Sequence, residues 1–186
     1  MTSPLPAAAL PFGLRDIKVK PYSNATLTTL ATGIDLPYAR TFSFAETEDF
    51  EELRGDDKLI AVRGMGAGVD WELEAGGLSF TAMAAMYGGT VTETGTTPAI
   101  KRSWLKKTTD ARPYFQVEGQ AISDSGGDVH CIIDRCRATD DMEGELADGS
   151  FWLSGASGRA LPSLQTARAD VVYEFVFNET PVSIPS

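Results

Sequence analysis

Apolar and polar residues alternate with a period of two along much of the chain, the repeat of a strand with one dry face and one wet face. Val69, Trp71 and Leu73 alternate with Asp70, Glu72 and Glu74; Phe115, Val117 and Ala121 with Gln116, Glu118 and Gln120; Ile17 and Val19 with Asp16, Lys18 and Lys20. Further strands are predicted at 27–31, 39–44, 59–63, 100–105, 129–137, 150–153 and 169–177, the last with Val171, Tyr173, Phe175 and Phe177 on one side. About nine or ten short strands describe an antiparallel sandwich or barrel. One segment has helical spacing instead: Phe80, Met83, Ala84 and Tyr87 fall at i, i+3, i+4 and i+7, with Ser79 placed as N-cap and Gly88-Gly89 as the stop. At about eight residues it is too short to stand alone in water, so its apolar face must lie on a sheet. The predicted fold is mainly β: an antiparallel β-sandwich or barrel with one short flanking α-helix and a long inter-strand loop.

That loop is residues 46–57, ETEDFEELRGDD, about a dozen residues where a hairpin connection usually takes ~2–5. Phe50 and Leu53 among its charges suit a docked surface better than a solvated flap. Residues 154–168 read as a Gly/Ser/Pro-containing surface excursion, and Gly64-Met65-Gly66-Ala67-Gly68 as a tight connection between two strands. The ends, 1–14 and 178–186, are apolar or Pro-containing without periodicity, which suits arms lying over something else, such as a neighbouring subunit. Between them, 15–177 forms one domain, in keeping with a length of 186 residues.

Charge is unevenly placed. The formal net charge is −10, and residues 46–57 hold seven acids against Arg54 while residues 139–148 hold five acids and no base. Against these stands the basic stretch 101–112, with Lys101, Arg102, Lys106, Lys107 and Arg112 opposed only by Asp110. Separate acidic and basic patches can make one copy complementary to another. The net acidity argues against holding duplex DNA by its phosphates, which takes clustered Lys and Arg.

The opening MTSPLPAAALPFG lacks a basic stretch and is broken by prolines, so no secretory signal is expected, and no apolar run approaches the ~20 residues of a membrane span. Cys131 and Cys136, five apart in one predicted strand, would lie roughly 16 Å apart on opposite faces, beyond disulfide reach. Free thiols of this kind suit a reducing cytoplasm.

Candidate chemistry is sparse. His130 is the only histidine and sits mid-strand beside Cys131, whose side chain points to the opposite face, so a Cys–His nucleophile pair and a zinc spacing both fail. The glycine run at 64–68 has no following helix and no Lys-Ser/Thr, and 154–158 lacks the G-x-S-x-G register because Arg159 stands where glycine is needed. Asp56-Asp57 and Asp140-Asp141 lie in solvated acidic stretches, and 139–148 lacks the D-x-D-x-D-G spacing of a calcium loop. Lys106-Lys107 beside Trp104 has the basic-plus-aromatic mix used on single-stranded nucleic acid, but as one cluster with one aromatic it reads better as the positive half of a subunit contact. No enzyme and no cofactor is expected. A different reading, a carbohydrate- or protein-binding β-sandwich, would use Trp71, Trp104 and Trp152 as an aromatic platform, although Trp71 alternates as a core residue should.

The long charged loop before a strand ending in Arg63-Gly64, then VDWELEAGG, a short helix running into Tyr-Gly-Gly (LSFTAMAAMYGG) and the late strand ADVVYEFVFNET resemble, in order and over nearly the whole chain, the major tail tube proteins of long-tailed, siphovirus-type bacteriophages. The resemblance implies a virion tail protein made in the host bacterial cytoplasm. Its copies would form hexameric rings stacked into a hollow tube for genome ejection, in contact with tape-measure, terminator and baseplate proteins. One sheet of each copy would join a continuous barrel around the bore, with the helix outside and terminal arms adding contacts. A long loop would reach the adjacent ring, here Glu46, Glu48, Asp49, Phe50, Glu51, Glu52, Leu53, Arg54, Asp56, Asp57 and Lys58. Asp70, Glu72 and Glu74, three carboxylates on one side of a strand, are the candidate bore lining, since double-stranded DNA must pass without being held. Lys101, Arg102, Lys106, Lys107 and Arg112 are the candidate basic contact for the acidic loop of another copy. Tail terminators, head decoration proteins and type VI secretion tubes overlap with this reading.

Overall fold

A computed structural model describes residues 8–143 and 147–185. Ten strands and one helix follow in order: β1 Pro11–Pro21, β2 Ile34–Asp35, β3 Ala39–Gly55, β4 Lys58–Gly76, α1 Phe80–Tyr87, β5 Thr90–Thr94, β6 Lys101–Leu105, β7 Phe115–Ser123, β8 Asp128–Ala138, β9 Leu153–Ala160 and β10 Tyr173–Asn178. All pairings are antiparallel.

Strand β8 belongs to two layers. Its first part, Asp128–Ile133, lies between β7 and β10, and its last residues, Cys136–Ala138, pair with β9. Sheet one therefore runs β2-β1-β7-β8-β10 and sheet two β8-β9-β4-β3. The switch is a bulge. Phe115 faces Cys136 and Val117 faces Ile133, so one strand advances two residues while its partner advances three, and Arg135 takes up the extra residue with a left-handed φ of 41°. The extra residue also resets the alternation: Ile133 and Cys136 are both fully buried, and Cys131 packs against the same core. The two thiols, expected on opposite faces, thus both point inward, and both remain free. Burial pushes the Cys131 thiol up to about 12, so it stays protonated and unreactive.

The core between the sheets comes from Ile17 and Val19 of β1, Phe115 and Val117 of β7, Ile133 of β8, and Val69, Trp71, Leu73 and Ala75 of β4. The arrangement is sandwich-like, and the two sheets do not close into a barrel among the described residues. Helix α1 is capped as its sequence predicts. The Ser79 hydroxyl accepts from the Ala82 amide, and Gly88, at φ 77°, ends the helix with its amide donating to the Ala84 carbonyl. Burial of Ala82, Met83, Ala85, Met86 and Tyr87 spreads over more of the helix than the single face read from spacing.

Several boundaries differ from the sequence reading. Residues 46–55 are strand, not loop, and 64–68 lie within the unbroken β4. The strand expected at 27–31 is a turn organised by Asn24, whose side-chain oxygen accepts from the Thr28 and Thr29 amides. The strand expected at 150–153 lies one segment later, as β9, inside the supposed Gly/Ser excursion. Ala156, Gly158 and Ala160 turn inward there, and a Cβ on Gly158 would come within 2.1 Å of the Arg137 carbonyl.

Strand β7 departs furthest from expectation. Its supposed wet face, Gln116, Glu118 and Gln120, is as buried as its dry one. The cover comes from later in the chain: residues 161–172 and a C-terminal strap, 179–185, lie across the outer face of sheet one. The strap seats Ile184, 2% exposed, and receives a hydrogen bond from Lys18 Nζ at the Ile184 carbonyl, 2.9 Å. Sheet two has no such strap among the described residues.

Candidate assembly surfaces

The segment expected to reach a neighbour is a β-hairpin. β9 pairs with β4 only from Val69 onward, so residues 47–68 are hydrogen-bonded in ladders only to one another and extend beyond the sandwich. The nine residues 47–55 at ~3.4 Å each give a projection of roughly 30 Å. Asp56 and Asp57 form the tip, both left-handed at φ 50° and 61°, the two-residue turn whose twist matches paired strands. The sequence signal for this turn is Asp-Asp rather than the usual Asn-Gly, and 46–55 is crowded with charge and shows no in-out alternation, so 46–57 read as a loop although 59–63 read as a strand.

The hairpin's side chains are of two kinds. Phe50, Leu53, Leu59, Ile60 and Val62 are apolar and between 51% and 63% exposed. Glu52 and Val62 are register partners on one face, Leu53 and Ala61 on the other, so apolar surface appears on both. Arg54 is bound by Glu52, its Nε and Nη2 donating to Oε2 at 2.9 and 2.7 Å, which leaves the tip carboxylates Asp56 and Asp57 exposed beside Lys58. Glu46 belongs to the body of the fold, where its carboxylate accepts from the Tyr173 hydroxyl at 2.8 Å. Glu48, Asp49 and Glu51 line the arm between these points. A two-stranded ribbon is marginal in water by itself, and exposed apolar residues on both sides mark a contact surface.

Asp70, Glu72 and Glu74 do share one face of β4, opposite Trp71 and Leu73. Their cross-strand neighbours are small: Ala45, Ser43 and Thr41 on β3, and Ser157 and Gly155 on β9 beside Glu72 and Glu74. Asp70 accepts from Arg159 Nε at 2.9 Å and Glu74 pairs with Arg40 at 3.1 Å, while Glu72 has no ion-pair partner among the described residues. Residues missed from sequence join them. Asp140, Asp141 and Glu143 fold over the end of β9 and line the same open groove, of about 700 Å³, as Glu72 and Glu74. Asp140 is fixed there by the Ser157 hydroxyl, 2.6 Å, and its backbone carbonyl by Arg112, 2.6 Å. Both acidic segments were visible in the sequence; their convergence depends on β9 lying between them. No cluster suited to a metal ion occurs among the described residues, and 144–146 of the segment weighed for calcium lie outside them.

The basic stretch divides. Lys106 donates to the Tyr87 carbonyl and to the Asp110 carbonyl, 2.7 Å, and so satisfies the end of α1. Arg112 lies over the Tyr87 ring, 5.4 Å from its centroid, and holds the Ala138 and Asp140 carbonyls. Arg102 is paired with Glu93 across the β5–β6 ribbon. Lys101 and Lys107 extend into solvent, so the positive surface is narrower than the five-residue count implies.

The three tryptophans form no surface platform. Trp71 is in the core, edge-on to Phe115, and Trp104 is half-buried with its Nε1 donating to the Gly88 carbonyl at 3.0 Å. No known family model matches the chain, and no characterised protein matches it significantly.

Proposed function

We propose that this chain is a structural subunit that completes itself with further copies, forming rings stacked into a tube of the phage-tail type its sequence resembles. The observation that carries this reading is the projecting β3–β4 hairpin, which bears Phe50, Leu53, Leu59, Ile60 and Val62 in solvent with no third strand beside them among the described residues. Its projection of roughly 30 Å carries these side chains away from the body of the fold, toward another copy. The hairpin's acids meet Lys101 and Lys107 of another copy, giving the stack a preferred register.

The outer face of sheet two faces the bore in this reading. Among the described residues it carries no strap, and it presents Glu72, Glu74, Asp140 and Asp141 among small polar side chains. Such a lining repels phosphate at short range while salt screens it beyond ~8–10 Å, so a duplex slides without being held. The free edge of β3 then pairs with a neighbouring copy, which removes an exposed edge by ring closure.

Negative-stain microscopy of the concentrated full-length protein tests the proposal. Rings or tubes with an open axis are the expected result. Monomers at every concentration and ionic strength, or assemblies that retain duplex DNA at physiological salt, would overturn it.

A further inference from the structure

We infer that His130 is a proton-operated latch on the C-terminal strap, closed while the imidazole carries both protons and loosened when it loses one. The argument is geometric. His130 Nδ1 lies 2.7 Å from Glu118 Oε1, and Nε2 lies 3.1 Å from Asp128 Oδ2 and 3.0 Å from the Val182 carbonyl. All three neighbours are acceptors. Only an imidazolium can donate from both nitrogens, and a neutral ring must aim a lone pair at a carboxylate whichever tautomer it adopts.

Donors from the surrounding strands hold the same neighbours. On β1, Lys20 Nζ binds Glu118 Oε2 at 2.6 Å, and Lys18 Nζ reaches the strap at the Ile184 carbonyl. On β7, Gln120 Nε2 donates to the Val182 carbonyl at 2.9 Å and to Asp128. On β8, Asp128 Oδ2 accepts the Val182 amide at 2.9 Å. From the end of β10, Asn178 donates to Asp128 Oδ1 at 2.9 Å, and the strap's own titratable residue, Glu179, is exposed. Val182 is therefore gripped at its amide by Asp128 and at its carbonyl by His130 and Gln120.

Burial of His130 disfavours its charge, but the hydrogen bonds to Glu118 and Asp128 outweigh this and raise its affinity for the proton above the ordinary histidine value. A group whose proton affinity is raised in the closed state stabilises that state at low pH and stops doing so as pH rises through the closed-state pKa. The strap is thus held most firmly below the ordinary histidine value and loosens as pH rises through the raised one. Release bares the polar face of sheet one and frees residues 179–185, an extended arm whose docking relies on backbone groups and Ile184.

The test uses the full chain, in which one histidine gives an unambiguous ring resonance. The His130 pKa by NMR is expected to lie above 6.5. Amide exchange of 179–185, corrected for intrinsic rates, is expected to accelerate about tenfold for each pH unit by which closed-state and open-state pKa values differ. In Ile184→Asp, which expels the strap's buried side chain, the pKa should fall. A His130 pKa unchanged by Ile184→Asp while that variant's strap exchanges fast, or strap exchange that ignores the His130 titration, overturns the latch.

Discussion

The Trp71 indole stands edge-on to the Phe115 ring, centroids 5.5 Å apart at 77°, and this contact joins the middle of sheet two to the middle of sheet one. Both side chains are at most 2% exposed. Truncating either removes apolar area from the layer both sheets share and leaves a void that neighbours fill only in part. Phe115→Ala is expected to cost about 3–5 kcal/mol in denaturant unfolding, and a loss below about 1 kcal/mol would show that the sheets do not rely on this pair.

Asp134, fully buried on the outer face of sheet one, accepts from Arg168 Nε at 2.9 Å and from Gln116 Nε2 at 2.5 Å. Arg168 sits in the 3₁₀ turn Thr166–Arg168 and also pairs with Glu174, so it clips residues 161–172 onto the sheet. Replacing it by Met keeps much of the volume and strands the carboxylate. The loss expected for Arg168→Met is about 3–5 kcal/mol, and adding Asp134→Asn should restore much of it because no buried charge is then left unpaired. A double variant no more stable than the single one contradicts this account.

These two sites show what the sequence could and could not reveal. Period-two alternation located Trp71 and Phe115 correctly because each strand has a dry face against the other sheet. The same rule failed for Gln116, Glu118 and Gln120, since their polarity serves a network sealed by segments distant in sequence, including the strap at 179–185. Helix α1 was legible because its signals, Ser79 and Gly88, are local. The β3–β4 hairpin was legible only in its returning arm, 59–63; 46–55 was not, because its apolar residues face outward and carry no in-out pattern. The acidic face was half legible: Asp70, Glu72 and Glu74 follow from one strand's period, whereas Asp140 and Asp141 arrive through the fold.

Acid should weaken the strap from the opposite side to alkali. Burial alone would raise the Asp128 pKa, but hydrogen bonds from Asn178, the Val182 amide, Gln120 and His130 hold it down to about 2. A carboxyl with a depressed folded-state pKa stabilises the fold above its unfolded value of 3.8, and the contribution is lost as pH falls toward 2. The shift corresponds to about 2 kcal/mol. Urea unfolding at pH 6 and pH 2.5 should differ less in Asp128→Asn than in the parent chain, and an identical pH slope in both would assign the acid sensitivity elsewhere.

The hairpin offers a way to separate folding from assembly. Threonine keeps the β-branched shape that suits a strand, so Ile60→Thr with Val62→Thr should leave the ribbon formed while removing apolar surface. Because both side chains are solvent-exposed in the monomer, its stability should stay within about 0.5 kcal/mol. If each substitution removes ~0.8 kcal/mol or more of apolar burial between copies, the concentration at which assemblies appear should rise about tenfold or more. Removing the tip charge needs different chemistry, since Asp56 and Asp57 are left-handed and lysine there would strain the turn. Asp56→Asn with Asp57→Gly keeps the turn and deletes two negative charges. Sedimentation velocity across a salt series then discriminates: a charge-guided contact loses most of its salt dependence in Asn-Gly, whereas an unchanged salt slope would confine the tip to shaping the ribbon.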